Sequence, residues 1–404
     1  MGVRWNRRRT DGPARLVALL LSVAAVATLV AACSGTTSVE TDPTASATST
    51  TTRPTVTVAA TTTSAPPSPV TTGDPRSTLG SGQAVTLTFG GDIHFDGPLA
   101  TSLSKDPGSM LLGVQPVFGA SDLAVVNLET SIGAGGTKAA KKFTFQAPPA
   151  ALAAVTAGGV DVIGMANNHS MDFGQKGLSQ TFDAITEQQA NVIGIGRDET
   201  AAYAPFRTEI KGQKIAVIAA TQVIDSNLVK SWTATATNPG VASAKRLDRL
   251  VAAVREARAT SDTVVVFLHW GTEKTFCPDK NQLALAPALA EAGADVIVGT
   301  HAHRVQGGGF LGAAYVEYGL GNLQFKTGSD AAREGGLLQV TVTGRRVDDA
   351  KWIPIVIGSD YLPTVRSGAA ATAATDRWDS RRGCAQLAPT YGAPVATGTP
   401  DLGG

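Results

Sequence analysis

The sequence predicts an α/β protein in which two packed, largely parallel sheets are flanked by helices. Three observations carry that prediction. Apolar, β-rich runs alternate with stretches of helical period, the pattern of α/β units. Several of the runs are continuously apolar, as strands buried on both faces are. The runs also number ten, more than one open sheet holds comfortably, so they divide between two.

In chain order, strands are expected over 84–90 (AVTLTFG) and 123–127 (LAVVN). A helix over 149–158 leads to a strand over 160–166 (VDVIGMA), and a helix over 175–190 leads to a strand over 191–196 (NVIGIG). Strands over 214–220 and 263–269 bracket a helical pattern at 244–259, and a helix over 281–293 precedes the strand ADVIVG at 294–299. Strands over 313–318, 336–342 and 351–357 complete the set. Beyond about residue 360 the chain turns rich in Ala, Thr, Gly and Pro and reads as an irregular extension.

Basic and acidic residues nearly cancel, 34 against 33, for a formal net charge of +1. No basic face for nucleic acid follows from such a balance, and no nucleic-acid partner is expected. The start of the chain is different in character. A basic segment is followed by a seventeen-residue apolar run, 16–32, that stops at VAAC. That is the pattern of a secretory signal peptide, here 1–32. The cysteine resembles that of the bacterial lipobox, in which Cys33 is lipidated; the alternative is an uncleaved anchor with Cys33 incidental. Either reading puts the globular part outside the cytoplasm, held at the membrane.

Of the 47 residues from 34 to 80, 29 are Ser, Thr or Pro, so a disordered tether is expected over 33–83. As a coil it would span roughly 40 Å, and fully extended on the order of 150 Å. The folded domain is expected over 84–345, with a final strand and extension over 346–404. Two further cysteines, Cys277 and Cys384, would form a disulfide in an exported protein, or remain two free thiols.

The five histidines are the informative residues. His94 (GGDIHFDG), His169 (ANNHSMDFG), His269 (FLHWGTE), His301 and His303 (GTHAHRVQG) each sit at or just beyond the carboxyl end of an expected strand. Ligands and catalytic groups collect at that edge of α/β sheets. The same loops bring Asp92, Glu129 and Asn168. Imidazoles with carboxylates and an amide oxygen suit Zn, Mn or Fe better than Mg or Ca.

GD-x-H, NLE, NNH, HWG and G-x-H-x-H, in this order, resemble the CapA/PgsA capsule-synthesis (poly-γ-glutamate biosynthesis) family over roughly residues 84–345. The resemblance implies the calcineurin-like metallophosphoesterase fold, a four-layer αββα sandwich, and two divalent transition metals (Mn, Fe or Zn). It implies Asp92, His94 and His303 at one metal and Asn168, His269 and His301 at the other. Glu129 would bridge the two, where ordinary metallophosphatases have an aspartate, and His169 would stand near the leaving group as an acid. Two such ions clamp the oxygens of an in-line displacement.

Other residues leave alternatives open. Asp96, Asp172 and Glu273 would either orient imidazoles or face solvent. Arg304 would bind an anionic substrate or lie on the surface, and Trp270 would stack on a substrate or pack in the core. Asn322, in GLGNLQF, would turn toward the site or belong to a plain glycine-rich turn.

Three functions compete. The first is a lipid-anchored, metal-dependent hydrolase or transferase acting on an anionic cell-envelope polymer or its phosphorylated precursor. The second is a non-catalytic binding or export component beside membrane synthase subunits. The third is a solute-binding lipoprotein, which gives no reason for histidines at strand ends.

Overall fold

A computed structural model describes residues 75–401. The expected signal peptide, Cys33 and the tether up to residue 74 lie outside the described residues.

Among the described residues, fourteen strands build two large sheets. They are β1 (Val85–Ile93), β2 (Leu123–Leu128), β3 (Val162–Gly164), β4 (Val192–Ile193), β5 (Phe206–Ile210), β6 (Gln213–Thr221) and β7 (Thr263–His269), followed by β8 (Val296–Thr300), β9 (Gly308–Leu311), β10 (Ala314–Glu317), β11 (Asn322–Gln324), β12 (Glu334–Thr343), β13 (Arg346–Ile357) and β14 (Pro363–Val365). The first sheet runs β14-β13-β12-β1-β2-β3-β4, with β11 also beside β1. The second runs β9-β10-β8-β7-β6-β5. Each is mixed: β1 to β4 and β6-β7-β8-β10 pair in parallel, and the outer strands join antiparallel.

The continuous apolar runs have a simple cause. Successive strand residues point to opposite faces, and both faces are covered. In β2, Leu123 and Val125 join the core that also holds Val217 and Val265 of the second sheet, while Val126 and Leu128 join the core formed with helices. Phe89 of β1 stacks on Phe267 of β7 with ring centroids 6.2 Å apart, a contact from one sheet to the other. Helices α1 (Pro98–Lys105), α2 (Ala150–Ala157) and α3 (Gly174–Gln188) bury Leu99, Leu152 and Leu178 against the far face of the first sheet. Helices α4 (Leu247–Arg258) and α5 (Lys280–Ala292) bury Leu250 and Leu289 against the second. Among the described residues no helix is long and apolar enough to cross a membrane.

Three expectations need correction. The run 191–196 is not one strand, because Gly194 at φ 89° breaks it between Ile193 and Ile195. The tether does not reach residue 83: Arg345 donates its backbone N–H to the Arg76 carbonyl at 2.8 Å, and Ser81 donates to the Lys211 carbonyl. The tail is not an irregular extension. Residue 345 lies in the turn of the β12–β13 hairpin, and the segment beyond residue 360 contributes β14 and helix α6 (Gly368–Ser380). Alanine-rich sequence favours a helix, and Trp378 anchors it by stacking on Trp352 at 5.3 Å and donating to Glu317 Oε2 at 2.9 Å. A disulfide joins Cys277 to Cys384 just past that helix.

Candidate metal centre

Parallel strands with common polarity bring their carboxyl ends to one rim. Asp92 is the last residue but one of β1, Glu129 follows β2, Asn167 to His169 follow β3, His269 ends β7, and His301 follows β8. Two glycines make the approach possible. A Cβ on Gly91 would stand 1.9 Å from the Gly321 carbonyl oxygen, and one on Gly299 would stand 2.0 Å from Trp270 Nε1. His301 and His303 both take positive φ, 86° and 51°. Non-glycine residues hold such angles only where the surroundings enforce them, at roughly 1–2 kcal/mol each.

Asp92 does the enforcing. Its Oδ2 accepts the His301 backbone N–H at 3.0 Å and lies 3.4 Å from His303 Nδ1, and its Oδ1 accepts Asn127 Nδ2 at 2.8 Å. His269 Nε2 is 2.7 Å from Asn168 Oδ1 and 3.5 Å from Glu129 Oε1. His169 Nδ1 meets Asp172 Oδ2 at 2.6 Å, which leaves Nε2 facing Glu129 Oε1 at 3.8 Å. Lys141 lies behind this pair, 3.1 Å from Asp172 Oδ1 and donating to the Asn168 carbonyl.

Two sets of ligand atoms share Glu129: Asp92, Glu129 and His303 form one, and Glu129, His269 and His301 the other, with atoms within 4.8 Å of one another. Exposed Glu273 forms a third set with His301 and His303. The residues fit divalent cations on three grounds. Both Glu129 oxygens and His301 Nδ1 are buried without a hydrogen-bond partner, a state that buried polar atoms rarely tolerate. Burial, and then the neighbouring Asp92 carboxylate, push the Glu129 pKa well above the ordinary range, as expected where negative groups crowd together out of water. Burial also holds His269 and His301 well below the usual histidine value, so they are neutral and keep lone pairs for a cation. His303 goes the other way: burial pulls it down, but Glu129 and then Asp92 outweigh that and lift it to about 9.

Not every expected residue takes the expected place. His94 belongs to neither set that contains Glu129. Its Nε2 accepts the Lys326 backbone N–H at 2.9 Å, and its ring stacks on Phe325 at 3.8 Å. Asn322 uses its oxygen on His303 Nδ1 at 2.7 Å and its amide N–H on the Ala332 carbonyl at 2.8 Å, so it positions an imidazole instead of offering donors to a substrate. Asp96 pairs with Lys326 at 3.6 Å at the exposed rim, whereas Asp172 orients His169. Trp270 is wholly buried and donates to the Tyr318 carbonyl at 2.9 Å, so it belongs to the core. Arg304 is buried, not on the surface, with Nη1 on the His303 carbonyl and Nε unpartnered.

Asn127, Asn167 and Lys141 are the residues that sequence reasoning missed. Asn127 carried a signal, being a polar residue inside an apolar strand; Lys141, in the loop segment AAKKFTF, carried none. The site opens into a cleft of about 480 Å³ lined by His94, His169, His303, Arg304, Phe325 and Lys326.

The fold and the site thus define a mixed α/β protein with a carboxylate–imidazole centre at the rim of two sheets. The model of the family described as bacterial capsule synthesis protein PGA_cap matches residues 86–327, and the chain belongs to that family. It is 29% identical over 270 residues to the PGA biosynthesis protein CapA of Bacillus subtilis (strain 168), covering 66% of this chain and 70% of that protein. It is 31% identical over 205 residues to the capsule biosynthesis protein CapA of Bacillus anthracis, and there it spans 50% of this chain and 49% of the relative. Among solved structures, a hypothetical protein from Thermus thermophilus aligns at a TM-score of 0.44 with 17% identity, over 67% of this chain and 98% of the other. A likeness at that level says nothing further about this chain.

Proposed function

We propose that the chain is a metal-dependent hydrolase or transferase that acts on an anionic cell-envelope polymer of the poly-γ-glutamate type, or on its phosphorylated precursor. It would work outside the cytoplasm, held at the membrane through Cys33, as the accessory to membrane synthase subunits. The observation that carries this reading is Glu129, buried, with neither oxygen hydrogen-bonded, and common to two sets of ligand atoms. We assign Asp92, Glu129 and His303 to one divalent transition metal and Glu129, His269 and His301, with Asn168, to a second. The arrangement supports the four-layer sandwich of the metallophosphoesterase superfamily. When bound, the metals would supply positive charge to oxygens that become negative during displacement.

The remaining chemistry belongs to the side chains. Burial holds the His169 pKa below its ordinary value against the pull of Asp172, so the ring is neutral. With its Nδ1–H donated to Asp172, Nε2 is an acceptor facing the centre, and His169 takes a proton there before it can return one. Arg304 and Lys326 would hold the carboxylates or phosphates of the polymer in the cleft.

One observation favours a second reading, a non-catalytic polymer-binding component. Nε2 of His94 is already accepting the Lys326 backbone N–H, so the neutral ring carries its proton on the buried, unpartnered Nδ1 and keeps no lone pair for a metal. Metal analysis of the purified protein, with turnover measured on phosphoester and γ-glutamyl substrates, separates the two. Bound metal and turnover that are both lost in Asp92→Ala and His301→Ala are expected for the enzyme. Polymer binding without turnover would establish the binder, and a protein that binds no divalent metal would rule out both assignments of the centre.

A further inference from the structure

A second cavity, of about 510 Å³, lies beside the cleft and takes no part in the metal centre. Four arginines line it, Arg333, Arg366, Arg377 and Arg381, against the carboxylates of Asp330, Glu334 and Asp401. Glu334 is already engaged, bonded by Arg377 and 3.6 Å from Arg366 Nη2, so it fixes those two guanidinium groups in place. The other two donate to neutral acceptors. Arg333 Nη1 reaches the carbonyls of Ile357 and Gly358 at 3.3 and 2.6 Å, and Arg381 reaches those of Val305 and Asp401 at 2.9 and 3.2 Å. Arg381 is only 1% exposed, and its Nη2 has no hydrogen-bond partner. A buried guanidinium with an unused donor is a costly group unless an anion completes it.

The cavity and the cleft are neighbours. The short helix Asp330–Arg333 borders both, with Ala332 lining the cleft and Arg333 the cavity. Phe276 stands at the same partition. Arg304, which lines the cleft, lies 5.6 Å from its ring centroid, and Arg381 of the cavity lies 4.5 Å from it. Positive groups therefore continue from exposed Lys326 and buried Arg304 past Phe276 to the four arginines. One small anion would use only one of these places; a linear chain with repeated negative groups uses both. Guanidinium forks match carboxylate geometry two bonds at a time.

We propose that the arginine-lined cavity is a second anion subsite, which takes the carboxylates of a linear polycarboxylate whose neighbouring residues lie in the metal cleft. This deepens the proposed function by naming how the polymer is gripped, and it rests on that reading for the polymer's identity.

The test is calorimetric titration of the full folded chain with γ-linked oligoglutamate, and separately with inorganic pyrophosphate. The wild type, Arg333→Gln/Arg366→Gln, Arg366→Lys and Asp92→Asn are compared, each shown by a cooperative melting transition to be folded at the titration temperature. Oligoglutamate binding that weakens at least tenfold in the double variant, recovers in part in Arg366→Lys and persists in Asp92→Asn supports the subsite. It would do so even if the metal reading failed, since Asp92 is outside the cavity. Equal binding by wild type and a well-folded double variant overturns the subsite. Arginine-dependent binding of pyrophosphate with none of oligoglutamate overturns the polycarboxylate assignment.

Discussion

The backbone N–H of His301 donates to Oδ2 of Asp92 at 3.0 Å, across 209 residues of sequence. This bond ties the last residues of the first strand of one sheet to the loop after a central strand of the other. It also helps to hold His301 at its positive φ.

Asp92→Asn therefore has two expected effects. The amide puts a donor opposite either the His301 N–H or the Asn127 amide, which costs about 1–3 kcal/mol in the metal-free protein. It also removes a proposed metal ligand. A chelator is expected to lower the melting temperature of the wild type, because metal bound only by the folded state stabilises it. The chelator should shift the variant less than the wild type, because Asp92 belongs to only one of the two ligand sets, and an equal shift in both proteins would count against Asp92 as a ligand.

Lys141→Met tests the group behind His169. Its side chain is 6% exposed and faces the fully buried Asp172, so its loss leaves a buried carboxylate without its cation. Destabilisation of about 3–5 kcal/mol is expected. The Lys141 charge also helps to hold the His169 pKa down, so the histidine should titrate at higher pH in the variant, read by nuclear magnetic resonance of the ring nitrogens. A downward shift would contradict the geometry.

Glu317 sets a pH dependence away from the site. It is fully buried, and burial lifts its pKa from the ordinary 4.5 to about 8 against its bonds to Trp378 and Gly319. Below about pH 4.5 both folded and unfolded chains carry the proton. As pH rises from there to about 8, the unfolded chain ionises while the folded one does not, so stability falls; above about 8 it levels off. Denaturant titrations should show Glu317→Gln with a flatter curve over that window, by on the order of 4 kcal/mol. A parallel offset at every pH would mean that Glu317 is ionised in the folded protein.

The disulfide between Cys277 and Cys384 closes a separation of 107 residues. Replacing both cysteines by serine should destabilise the fold by about 2–5 kcal/mol. A reducing agent should then change the melting temperature of the wild type alone.

The sequence alone determined most of the framework. Continuous apolar runs such as TVVVFLH mark strands covered on both faces, and polarity common to parallel strands then sends their end residues to one rim, which is why Asp92, Glu129, His269, His301 and His303 could be named beforehand. What only the tertiary structure decided depends on contacts distant in sequence. His94 lies two residues after Asp92, yet the Lys326 backbone N–H, 232 residues away, takes its Nε2. Trp270 adjoins His269, yet pleating turns it into the core to bond the Tyr318 carbonyl. Lys141 and the four cavity arginines look like ordinary surface charges in the sequence. Only the packing of loops and the returning C-terminal helix buries Arg381, half-buries the other three and sets Lys141 against Asp172. Local pattern sets which face a residue takes, whereas partners across the fold set what that residue can do there.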